Sequence, residues 1–302
     1  HVNLVAVELA VGAGAEVILD VARPADVLGV RAAAVVLGSS ALLVACSAAP
    51  APSSASTEDW APPPSGAAFD HQLAGPYPPA PGVTVVVRDR TAEPAGLGYD
   101  VCYVNGFQTQ PGDSAVLAEQ HPELLVQTED GPLADPGWPD ELLFDTSTAG
   151  KRSALVELVG PWIRGCAADG YDAVEVDNLD SWTRSRGLLT AEGNTALALE
   201  YAEVAHAAGL AIAQKNAPEL SAQLSAAGYD FAVAESCAAF DECAAHLDHY
   251  PVVLAVEYAD ELGPDGFAEL CDDPGRPPQL VLRDHDLLTP DDDGYVFSTC
   301  GS

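Results

Sequence analysis

Residues 170–178 read GYDAVEVDN, and the order of residue types in this stretch decides the fold. A glycine of the kind that ends helices is followed by a short apolar run at 173–176, expected as a strand, and the run is left through Asp177 and Asn178. A helical stretch over 153–169 precedes it, so the unit is helix, turn, strand, acid.

The same unit recurs outward in both directions. Further short apolar runs stand at 83–87, 101–104, 124–127, 211–213, 231–234, 252–256 and 280–282, making eight expected strands. Helical stretches at 113–119, 190–208, 219–226, 241–247 and 263–270 fall between them; the second opens on a capping Thr190 and stops at Gly209. Near-continuous apolar strands alternating with helices predict a parallel sheet covered on both faces. With eight of them the expected fold is α/β, a single (β/α)8 TIM barrel. In that architecture the active site is built from residues that end the strands. Here those are Asp89, Asn105, Glu129, Glu175 with Asp177 and Asn178, Lys215 with Asn216, Glu235, Glu257 and Asp284. The opposite strand ends carry 170–172, Gly209, Gly228 and Pro251 instead. A one-sided ring of acids calls for a cationic or hydroxyl-rich ligand.

Ahead of the barrel the chain changes character. It contains no methionine, so His1 is not expected to be an initiator, and 1–30 are expected to be absent from the mature protein. From Arg31 an apolar run over 32–45 ends in Leu-Val-Ala-Cys at Cys46, which resembles a bacterial lipoprotein signal closing on a lipobox. It is shorter than the roughly 20 apolar residues a spanning helix needs. The expected organisation is a signal peptide at 31–45, lipid on Cys46, a disordered Pro/Ser/Ala-rich tether at 46–66, and a catalytic barrel over 67–302. That predicts a secreted lipoprotein anchored at the cell surface, touching membrane only through its lipid, and monomeric.

With Cys46 assigned to lipid, six cysteines remain, an even number in an exported chain. They allow fifteen pairings. Cys237 with Cys243 is favoured because the two are close and flank one loop, and Cys271 with Cys300 because it clips the tail, leaving Cys102 and Cys166. No paired Cys or His spacing marks a metal site, and no cofactor is expected. Forty-six acidic against twelve basic residues give a formal charge of −34, which repels nucleic acid and anionic lipid.

Several of these stretches occur together in one known family. Phe69-Asp70-His71-Gln72-Leu73, Val101-Cys102-Tyr103-Val104, residues 170–178, Gln214-Lys215-Asn216, Glu235-Ser236-Cys237 through Cys243, and Val256-Glu257-Tyr258 resemble the endo-α-1,4-polygalactosaminidases, glycoside hydrolase family 114, over about 67–290. The resemblance implies a TIM-barrel enzyme that cleaves α-linked galactosamine polymers, with its catalytic carboxylates on Asp177 and Glu235.

Those two residues suit the chemistry. Glycosidic cleavage needs one protonated carboxyl for the leaving oxygen and one ionised carboxylate to attack or to activate water. Glu235 is assigned as acid/base and Asp177 as nucleophile or base, with Lys215, one of two lysines, expected to keep Asp177 ionised. Substrate contacts are expected from Asp89, Tyr103, Glu175, Asn178, Lys215, Asn216, Glu257 and Tyr258. Tyr103, Trp138, Trp182 and Tyr258 are candidate stacking surfaces for sugar rings. The expected partner is a polysaccharide, cationic in character. Two other functions fit the same fold: a carbohydrate-binding barrel without catalysis, and a metal-dependent phosphodiesterase using the acidic ring.

Overall fold

The computed structural model describes residues 60–300. The expected signal at 31–45, Cys46, the first thirty residues and most of the tether therefore lie outside the described residues. Among those described, eight parallel strands follow one another in chain order around one sheet: β1 Ala68–Gln72, β2 Val83–Asp89, β3 Tyr99–Asn105, β4 Ala173–Asp177, β5 Ala211–Lys215, β6 Phe231–Glu235, β7 Val253–Tyr258 and β8 Gln279–Arg283. A short β9, Phe297–Thr299, runs antiparallel beside β8. Helices α1 Ser114–Gln120, α2 Ala149–Asp169, α3 Ala191–Ala207, α4 Ser221–Ala226, α5 Cys243–Leu247 and α6 Ala259–Asp272 complete a (β/α)8 barrel. Among the described residues no helix is long and apolar enough to cross a membrane.

Seven of the eight expected strands stand in the barrel, and one does not. The run at 124–127 is not a barrel strand: Pro122–Leu124 is a 3-10 turn, and Gln127–Thr128 pairs only with Gly131–Pro132 in a small ribbon. Leu124, Leu125 and Val126 are buried because this long α1–α2 connection folds down onto the barrel. The first strand is instead β1, whose Asp70, His71 and Gln72 are polar yet buried. An apolar-run reading passes over such a segment. It is a strand because its polar groups find partners inside the barrel, as buried polar atoms generally must.

That pairing also closes the barrel. In the sheet order β1 and β8 are not neighbours, and a side chain joins them instead. Buried Arg283 donates from Nη1 to Asp70 Oδ1 at 2.9 Å and to the His71 carbonyl, and from Nε and Nη2 to the carbonyls of Val296 and Leu288. A guanidinium with its donors filled bears burial that an unpaired one would not.

Side-chain parity along the strands divides the core in two. Ala173, Ala211, Ala213, Phe231, Val233, Leu254 and Val256 pack inside the barrel. Their neighbours Val174, Val176, Ile212, Ala232, Val253 and Ala255 pack outward among the helices. Successive strand residues face opposite sides, so Asp177, Lys215, Glu235 and Tyr258 share the inward face while Glu257 belongs to the outward one. Gly106, just past β3, is required by the outer layer: a Cβ there would collide with Val176 Cγ1 and crowd Tyr201, whose hydroxyl bonds the Gly106 carbonyl at 2.8 Å.

The described end of the expected tether is fastened rather than free. Trp60 stacks on His206 with centroids 4.2 Å apart, Tyr99 donates to the Ala61 carbonyl, and Gln279 to the Pro64 carbonyl.

Among the described residues three disulfides join Cys102 to Cys166, Cys237 to Cys243 and Cys271 to Cys300, spanning 64, 6 and 29 residues. Loop-closure entropy ranks their worth by span, at about 4, 2 and 3.5 kcal/mol respectively. Paired Cys→Ala variants should therefore lose stability to urea in that order. Equal losses, or a larger loss at Cys237–Cys243, would contradict the entropic ranking.

Candidate active site

The inward-facing ends of β4, β5 and β6 bring Asp177, Lys215 and Glu235 to one point. Lys215 Nζ lies 3.4 Å from Asp177 Oδ2 and 3.4 Å from Glu235 Oε2, and it donates to Glu175 Oε1 at 2.8 Å from the layer beneath. Glu175 Oε2 is in turn 3.1 Å from His71 Nε2. Lys215, Glu175 and His71 are all buried.

Each carboxylate of the pair has its own phenol and its own amide. Tyr103 Oη donates to Asp177 Oδ2 at 2.8 Å, and the Asn178 backbone N–H to Asp177 Oδ1 at 2.6 Å. Tyr258 Oη donates to Glu235 Oε1 at 2.5 Å, and Asn216 Nδ2 to Glu235 Oε2 at 3.1 Å. One backbone device follows all three strands: Asn178, Asn216 and Ser236 take left-handed φ values of 65°, 50° and 54°. Asn tolerates that conformation through its short polar side chain; Ser is strained in it, a cost that functional sites often retain.

The electrostatics split the acids. Burial pushes Glu175 up, but Lys215 and His71 outweigh it and hold its carboxyl down at about 2. Burial likewise pushes Glu235 up, and Lys215, then His71, Tyr258 and Asn216, carry it below the ordinary glutamate value. Asp177 goes the other way: burial raises it, Lys215 opposes, and the neighbouring charges of Glu235 and Glu175 leave it above the ordinary aspartate value. The two carboxyls of the pair are thus shifted in opposite directions, Asp177 upward and Glu235 downward. Lys215 acts on Asp177 in the expected sense, pulling its carboxyl down; the upward direction comes from burial and from Glu235 and Glu175.

Above the pair opens a cleft of about 570 Å³. Of the residues expected to contact substrate, Asp89, Tyr103, Asn178, Lys215, Asn216 and Tyr258 line it. Two expected contacts do not. Glu175 sits below, its carboxylate spent on Lys215 and His71, so its charge supports the site without reaching a ligand. Glu257 faces outward by strand parity, and its oxygens accept the Ala238 and Ala239 backbone N–H groups at 2.8 and 3.2 Å. Its position corrects the expectation that it meets substrate. Among the ring's other members, Asp284 caps the Leu288 and Val296 N–H groups, and Glu129 is exposed on the small ribbon. Of the expected aromatics, Trp138 lines the cleft, whereas Trp182 packs against the core.

Loops supply further lining that strand ends alone do not reveal, notably Glu141, Asp180, Arg184, Phe240, His285 and Asp286. Arg184 donates to Asp135, Asp180 and Asn178 at 2.6, 2.8 and 2.9 Å, which locks the loop after β4 to the loop after β3. In the sequence, only the i,i+4 spacing of Asp180 and Arg184 hints at part of that network. Glu141 comes from the folded-back α1–α2 connection. Asn105 Nδ2 bonds one of its oxygens at 2.9 Å; burial, with Asp177 and Asp135 nearby, pushes its carboxyl up to about 7 despite that bond and Arg184.

The model of glycoside-hydrolase family GH114 matches residues 49–302. Among solved structures, Aspergillus fumigatus Ega3 in complex with galactosamine is 20% identical, with a TM-score of 0.62 over 76% of this chain and 96% of that one. A variant of the glycoside hydrolase domain of PelA from Pseudomonas aeruginosa is 18% identical, with a TM-score of 0.50 over 76% and 97%. No curated protein matches the chain by sequence.

Proposed function

Because the chain belongs to glycoside-hydrolase family GH114, we propose that it is an endo-acting hydrolase of α-linked, galactosamine-containing polysaccharide, with Asp177 as nucleophile or base and Glu235 as acid/base. The observation that carries this reading is one buried ammonium, Lys215, shared by two carboxylates at the cleft floor.

Both oxygens lie 3.4 Å from Lys215 Nζ, so they are no more than twice that distance apart. That bound includes the roughly 5–5.5 Å spacing at which retaining enzymes attack directly, and reaches only the lower edge of the roughly 6.5–9.5 Å at which inverting enzymes seat a water. The reading is a retaining one. Asp177 attacks the anomeric carbon while Glu235 gives its proton to the departing glycosidic oxygen. Glu235 then takes a proton from water as that water's oxygen displaces Asp177. Bound polymer supplies what favours an ionised Asp177 and a protonated Glu235: a glycosidic oxygen that accepts a hydrogen bond from the neutral acid, and positive charge developing at the anomeric carbon beside Asp177.

The amino sugar is favoured by the acids around the mouth, Asp89, Glu141, Asp180 and Asp286, in a chain of net charge −34. The related Ega3 structure holds galactosamine. The test is hydrolysis of galactosamine polymer before and after N-deacetylation. Mid-chain cutting with preference for the deacetylated form is expected; no cleavage of either polymer overturns the reading. Glu141 adds a signature. A carboxyl that ionises near 7 gains its attraction for ammonium through that value, so the ratio of KM in Glu141→Gln to KM in wild type for deacetylated polymer should rise between pH roughly 6 and 7.5, a comparison in which the amine's own titration cancels.

A further inference from the structure

We propose that the loop after β6 is a rigid arm that holds Phe240 as a stacking platform for a pyranose ring of the polymer on the Glu235 side of the scissile bond, and that Glu257 is the residue that fixes the arm. The inference rests on the polysaccharide reading above and adds to it a subsite and a positioning group.

The arm begins at the acid/base itself. A short way beyond Glu235 stands Phe240, 63% exposed and lining the cleft, which is unusual for so large an apolar ring. The loop between them is held at every turn. Ser236 and Asp241 adopt left-handed φ values of 54° and 59°. Phe240 N–H bonds the Ser236 carbonyl at 3.0 Å, and Glu242 N–H bonds the Cys237 carbonyl at 2.7 Å. The Cys237–Cys243 disulfide closes the base. Behind the loop, Glu257 is buried with no cationic partner among the described residues, and both its oxygens are spent on the N–H groups of Ala238 and Ala239, the two residues that lead into Phe240. Burying a carboxylate is costly even when it is hydrogen-bonded. Two left-handed residues, a disulfide and a buried acid all serve one short loop, and what that loop delivers to the cleft is an aromatic face.

An aromatic face in a polar cleft recognises the C–H side of a sugar ring. Galacto-configured pyranoses present several C–H bonds on one face, and the phenyl ring offers area with little flexibility to lose. Trp138, 55% exposed, stands on the loop that carries Glu141, whose carboxyl feels the charge of Asp177. One exposed ring on the loop that carries Glu141 and another on the loop that follows Glu235 suit a chain that runs through the cleft, as endo cleavage requires.

The test compares galactosamine oligomers of increasing length with wild type, Phe240→Ala, Phe240→Trp and Glu257→Gln. Phe240→Ala should raise KM for long oligomers about tenfold with a much smaller change in kcat, the effect growing with oligomer length, and Phe240→Trp should restore most of it. Glu257→Gln should reproduce part of the KM rise in wild type and add nothing on the Phe240→Ala background, the coupling expected of a group that acts through the ring. Unchanged KM in Phe240→Ala, or Glu257→Gln and Phe240→Ala effects that simply add, overturns the proposal. Calorimetric binding of the same oligomers to Asp177→Asn separates the two readings. Binding that depends on Phe240 without any wild-type cleavage refutes the hydrolase mechanism alone, and cleavage indifferent to Phe240 refutes the arm alone.

Discussion

Asp177→Asn and Glu235→Gln are each expected to lower turnover on galactosamine polymer by at least about a hundredfold with little change in KM or in unfolding midpoint. An amide keeps the shape of the carboxyl and most of its hydrogen bonds, but it neither attacks as an anion nor delivers a proton. The fold should survive because Tyr103 and Asn178 still contact residue 177, and Tyr258 and Asn216 still contact residue 235. Removing either charge also relieves repulsion within the pair, and Lys215 keeps Glu175 as a partner in both variants. Steady-state kinetics with a thermal melt on the same samples is sufficient. Near-wild-type turnover in Glu235→Gln would overturn the acid/base assignment. The next candidate would then be Glu141, which lines the cleft near Asp177, and not Glu257, whose carboxylate faces away from it.

The second large effect is expected at Lys215. Replacing it with methionine preserves much of the volume and removes the cation that touches Glu175, Asp177 and Glu235 together. Breaking a buried pair from one side leaves an uncompensated charge, which costs about 3–5 kcal/mol. The pH dependence has a definite sign. Glu175 is held at about 2 against an ordinary 4.5, so it contributes stability above 4.5 that is lost as pH falls through about 2. Without Lys215 that carboxyl rises, and acid-induced loss of stability should begin at higher pH than in wild type. Lys215 also pulls Asp177 and Glu235 downward, so the acidic limb of the activity profile should move up as well. Urea unfolding at several pH values and a pH–rate profile read the two effects separately. A Lys215→Met chain with wild-type stability and an unshifted acidic limb would show that the ammonium does not govern these carboxyls.

Much of this was legible in the order of residues. Strand–helix alternation identifies the barrel, and the six expected helical stretches all fall where helices stand, because period and caps are local properties. The acids and the lysine at the ends of 173–177, 211–215 and 231–235 could be read as a cluster because a parallel barrel sends every strand end to one face. Sequence proximity also pointed to Cys237–Cys243. Even the misplacement of Glu257 was open to correction beforehand. Adjacent residues of a strand point to opposite faces, so Glu257 and Tyr258 could not both meet the cleft; Tyr258 follows the inward series Val252, Leu254 and Val256, and Glu257 does not.

Other features depend on atoms brought together from far along the chain. Strand β1 hides its polar residues because Arg283, more than two hundred positions away, satisfies Asp70 and the His71 carbonyl; no local pattern announces such a partner. Leu124, Leu125 and Val126 are buried like a strand but by a loop, a distinction that periodicity over so short a run does not make. Glu141 and Phe240 enter the cleft from loops whose course is set by a disulfide and by hydrogen bonds to distant side chains. The opposite shifts of Asp177 and Glu235 are likewise a tertiary property, since they depend on how far one ammonium stands from three carboxylates. Residue type and local spacing determine which groups can do the chemistry, but desolvation and charge separation act through space, and only the folded chain sets those distances.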